Sequence, residues 1–96
     1  MTAPMIPQAE EDAATAAYGP LMDAARAAAW RFEAVEERDK ITAAVRAAEA
    51  CLVVVAEARD HGHRAVAHVY ELIAASYQDE VSVREQREQR RTSRLH

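Results

Sequence analysis

Ile41-Thr-Ala-Ala-Val-Arg-Ala-Ala-Glu-Ala-Cys-Leu-Val-Val-Val55 places apolar residues at Ile41, Val45, Ala48, Leu52 and Val55. Steps of four and three trace one face of a helix, so the stretch predicts a helix with a seam for a second one. Towards the N-terminus the same spacing runs through Leu21, Ala25, Ala28, Phe32 and Val35, and neither Gly nor Pro occurs between Leu21 and Asp60. The two stripes are separated by Glu36-Glu37-Arg38-Asp39-Lys40. This charged run reads as a kink or a solvated turn in which Asp39 caps a new helix, so one helix of about 40 residues and two of half that length both fit.

Towards the C-terminus, Asp60-His61-Gly62-His63 marks a reversal, because Gly62 follows the last residue of the stripe. Beyond it Val66, Val69, Tyr70, Ile73 and Tyr77 form a second amphipathic face, able to lie antiparallel against Ile41 to Val55. Upstream, residues 9–18 predict a short helix with acidic residues at its start, ended by Gly19-Pro20. The expected fold is therefore all-α: an antiparallel hairpin of long helices with a short N-terminal helix. Residues 1–8 read as a flexible leader, 9–83 as the helical domain and 84–96 as a basic tail. Arg-Glu-Gln-Arg-Glu-Gln-Arg-Arg from Arg84 has no large apolar side chain to bury, so this tail is expected to fray.

Composition agrees with the helical reading. Of 96 residues 23 are Ala, which favours helix but buries little area, while Gly and Pro together number five. A chain this short hides only about 60–65% of its unfolded surface, so association is a natural way to add burial and a homo-oligomer is expected. The net charge is −4, yet residues 1–83 hold 7 basic and 14 acidic side chains and residues 84–96 hold 5 and 2. An acidic body argues against a surface that grips nucleic acid everywhere. No apolar run approaches the ~18 residues of a membrane span, and the start lacks the basic and apolar regions of a secretory signal, so a cytoplasmic protein is expected. Cys51, alone in the chain, sits in an apolar run and reads as a buried, inert thiol.

Catalysis has little to build on. Ser76, Ser82 and Ser93 have no convergent base in the pattern, and two glycines cannot make a phosphate-cradling loop. His61, His63 and His68 lack the spacing of a metal site, so no metal, cofactor or small-molecule substrate is expected. The expected function is protein–protein interaction and self-association, with Trp30, Phe32, Arg26 and Arg31 as partner-binding candidates. Trp30 and Phe32 lie two apart and so point to different sides of a helix, and an exposed aromatic beside arginines is a common anchor.

The alternative is a small DNA-binding regulator. Ala56, Val66 and Val69 resemble, over about 35 residues, the spacing that locks the two helices of helix-turn-helix regulators. That resemblance implies His63, Arg64 and His68 on a recognition helix, with Arg84, Arg87, Arg90 and Arg91 as a phosphate-binding arm. Asp60 and His61 replace the usual Gly and apolar turn residues, and Glu57, Asp60 and Glu71 would repel phosphates. The segment Glu49-Ala-Cys-Leu52 discriminates: unbroken helix there supports the hairpin, and a turn supports the DNA-binding module.

Overall fold

The computed structural model describes residues 5–94 and is all-α. It consists of α1 (Gln8–Ala34), a 3-10 turn at Glu37–Asp39, α2 (Lys40–Asp60) and α3 (Arg64–Arg94), with no strand among the described residues. Residues 1–4 of the expected leader and 95–96 of the expected tail lie outside the described residues.

Gly19-Pro20 bends a helix where a full stop is expected. Tyr18 leaves the helical region (φ −144°, ψ 35°) and the chain resumes helix at once through Pro20 to Ala34. Proline is tolerated in the first turn after a break, where its missing N–H would have no intrahelical partner. Ala14, Tyr18 and Met22 are buried in one cluster, so packing holds both sides of the bend.

Of the two arrangements open for residues 21–60, the structure adopts two helices. Val35 and Glu36 are extended, with ψ near 158°, and α2 starts at Lys40. Lys40 Nζ donates to the carbonyl of Phe32 and, at 3.3 Å, to that of Glu33, satisfying acceptors that the end of α1 leaves free. The second break is the expected one. Gly62 has φ +71°, while His63 N–H donates to the Ala58 carbonyl (2.8 Å) and Gly62 N–H to that of Arg59 (3.1 Å), closing α2 with a Schellman turn.

Helix α2 lies in the middle, packed against both α1 and α3, which touch each other little. Its buried residues are Ala43, Ala44, Ala47, Ala48, Cys51, Val54, Val55 and Ala58. Most are small, because a helix flanked on two sides must let both neighbours approach closely, and alanine faces permit the shortest separation. The larger stripe residues Val45 and Leu52 consequently sit at the margin of the seam, 39% and 44% exposed. One core cluster joins Tyr18, Met22, Val54, Val66 and Tyr70, and a second joins Phe32, Ala43 and Ala44 with Val35, Tyr77 and Val81. Burial raises the Cys51 thiol above its ordinary pKa, so iodoacetamide is expected to alkylate it only after urea unfolding, as followed by intact mass.

The tail differs from expectation. α3 continues to Arg94 instead of losing helix after residue 83. Arg, Glu and Gln are good helix formers, and Arg84 binds Glu80 one turn earlier (3.1 Å), so the extension grows from a docked helix without nucleating anew. Residues 85–93 are exposed along it.

Candidate functional site

The three features singled out from sequence fall in different places. At the α2–α3 turn, the Tyr18 hydroxyl is 2.8 Å from His63 Nδ1, and His61 and His63 stack with ring centroids 5.6 Å apart. Glu10 accepts from the Val66 N–H (2.6 Å), so a carboxylate from α1 caps the start of α3, where the helix dipole favours negative charge. These contacts fasten the N-terminal part of α1 across the turn. His63 is thereby taken up in structure, and no group of three or more His, Cys, Asp or Glu is placed to hold an ion among the described residues.

Burial raises the phenol pKa of Tyr18 above its ordinary value, with Glu10, Tyr70 and Glu57 adding to the shift; burial also raises those of Tyr70 and Tyr77. The folded chain thus holds these protons more tightly than the unfolded one. Stability is expected to be complete below about pH 10 and to fall as pH rises through the raised values, a drop that Tyr70→Phe should lessen in urea titrations. Tyr18→Phe, which removes one part-buried hydrogen bond, is expected to lose about 1 kcal/mol near neutral pH in the same assay.

The residues expected at DNA fall in two separate groups. His63, Arg64 and His68 line one shallow groove beside the turn with Arg59 and Glu71, which pair with each other. Arg84, Arg87, Arg90 and Arg91 lie sixteen or more residues beyond His68 on the same helix, roughly 24–35 Å away at 1.5 Å per residue. Arg84 is engaged by Glu37 and Glu80 and lies over the Phe32 ring, 5.8 Å from its centroid.

Among the partner-binding candidates, Trp30 is 77% exposed and Arg31 is exposed, while Arg26 pairs with Asp23 (2.9 Å). Phe32 belongs to the core, edge-on to Tyr77 at 5.3 Å and under the Lys40 ammonium at 4.6 Å. Its place in the buried stripe already marks it as core, and the two-residue offset leaves Trp30 outside.

Two apolar surfaces complete the picture. One runs along α2 and α3, where Val45, Ala48, Leu52, Gln78 and Val81 border a depression of about 280 Å³. The other is an open groove of about 440 Å³ between α1 and α3, lined by Phe32, Val69, Leu72, Ile73 and Tyr77 together with the polar Glu33, Ser76 and Glu80. The exposure of Val45 and Leu52 is hidden in the sequence because alanines beside them form a competing stripe of the same period. No helix among the described residues is long and apolar enough to cross a membrane.

No family model, curated protein or solved structure matches this chain. Any functional reading therefore rests on these surfaces.

Proposed function

We propose that this is a non-catalytic protein whose α2–α3 antiparallel hairpin, braced by α1, acts through protein–protein interaction and pairs with a second copy along α2. The observation that carries the reading is the line of partly exposed aliphatic residues Ile41, Val45 and Leu52 on one face of α2, beside the buried Ala48. Its spacing is self-complementary. About a two-fold axis between positions 48 and 49, Val45 of one copy opposes Leu52 of the other and Ile41 opposes Ala56, the reciprocal pattern of an isologous dimer.

The surface area supports the same reading. The protomer exposes 6842 Å², whereas a compact monomer of this mass exposes roughly 5,500 Å². The excess, part of which lies on the exposed extension of α3, surpasses the ~800 Å² that each partner contributes to a standard interface. Unbroken helix through Glu49-Ala-Cys-Leu52 favours the hairpin over the helix-turn-helix alternative. Size-exclusion chromatography with light scattering tests the proposal. A mass near twice 10.6 kDa, unaffected by duplex DNA, is the expected result; a monomer at every micromolar concentration would overturn it.

A further inference from the structure

A different face, independent of the α2 stripe, changes character along its length. Residues of α3 that step by three and four begin with Val69, Leu72 and Ile73, pass Ser76, Glu80 and Val83, and end at Arg87, Arg90 and Arg91. The apolar part walls the groove against Phe32 of α1, with Leu72 and Ile73 47% and 37% exposed. The basic part lies on the exposed extension. Its arginines, with Arg84, occupy an arc of about 120°, and Glu85 and Glu88 fall outside it. Arg84 is neutralised by Glu37 and Glu80, but no ion pair among the described residues engages Arg87, Arg90 or Arg91.

We propose that this face docks an amphipathic helix of another protein, whose apolar stripe fills the α1–α3 groove and whose acidic end meets Arg87, Arg90 and Arg91. An open trough between two helices fits a third helix, with anchors every three or four residues. A second copy of α3 does not suit it. Laid antiparallel, it would set arginines against Val69, Leu72 and Ile73; laid parallel, it would set arginine against arginine, and both arrangements leave charge unpaired. Carboxylates on the incoming helix match the guanidinium forks, which take them two oxygens at a time.

The test uses two labelled synthetic amphipathic peptides of about twenty residues, long enough to span ~30 Å as helix. They share one Leu/Ile stripe and differ only in a Glu-rich or Lys-rich end, and each is made with that end at either terminus. In fluorescence anisotropy the Glu-ended peptide is expected to bind at least tenfold more tightly than its twin. The triple variant R87E/R90E/R91E is expected to abolish the preference, and Leu72→Glu to weaken both peptides about tenfold, as loss of an interface anchor does. All four positions are exposed, so helicity by circular dichroism and the mass in solution should not change. Equal binding of the twins, no binding of either, or a preference that survives the triple substitution would overturn the proposal. Tighter binding of duplex DNA or of phosphatidylglycerol vesicles than of the Glu-ended peptide would overturn it equally.

Discussion

Leu52→Glu is expected to abolish the proposed self-association, giving a monomer with unchanged helical content. Within the protomer Leu52 is 44% exposed and lies outside both core clusters, so a carboxylate there remains in water and the fold is spared. In the proposed two-fold pairing the same carboxylate faces Val45 of the other copy, and symmetry repeats the clash. Each substitution forfeits about 0.7–1.3 kcal/mol for burying the 44% of the leucine that is still exposed, and desolvating the charge adds at least about 1 kcal/mol. Two such losses total at least about 3 kcal/mol, a more than hundredfold rise in the dissociation constant. Light scattering over a concentration series reads this directly. Val53→Glu is the control, because Val53 is comparably exposed (47%) but one residue off the stripe; it should leave the mass unaltered. Association that persists in Leu52→Glu would mean that the α2 stripe is not the interface.

How far the sequence revealed this surface depends on which signal is followed. Helical class, the reversal at Gly62 and the buried positions Ala25, Phe32, Val55, Val66 and Tyr70 follow from period and from glycine chemistry, both local properties. The choice of seam on α2 is not local. Two overlapping stripes, one of alanines and one of larger aliphatics, share the same helix, and only the presence of helices on two sides selects the alanines. Pro20 misleads for a related reason: a bend and a stop have the same local signature, and packing of Tyr18 and Met22 decides between them. The clasp of Glu10 and Tyr18 on the α2–α3 turn spans 45 to 56 residues, and no short-range pattern reports it. The steady helix of residues 84–94 has no signature within the tail itself, because it propagates from a helix already fixed by the core.

The alanine seam makes a second strong prediction: Ala44→Leu should destabilise the fold far more than Val45→Leu, its immediate neighbour. Ala44 has no exposed surface and lies in the cluster formed by Phe32 and Ala43 with Val35, Tyr77 and Val81. Three added carbons have no room there unless α2 moves away from a neighbour, and overpacking of this kind typically costs about 1–3 kcal/mol. For a domain of this size that corresponds to a melting temperature lower by roughly 4–24 °C. Val45 is 39% exposed at the margin, where one more methylene meets solvent and the effect should stay within about 0.5 kcal/mol. Both proteins must be melted at one concentration, since the proposed self-association would add stability by mass action. Under that condition the comparison isolates the seam. Equal melting temperatures would show that α2 is not gripped through its alanines, and Val45 and Leu52 would then lose their standing as residues left over for a partner.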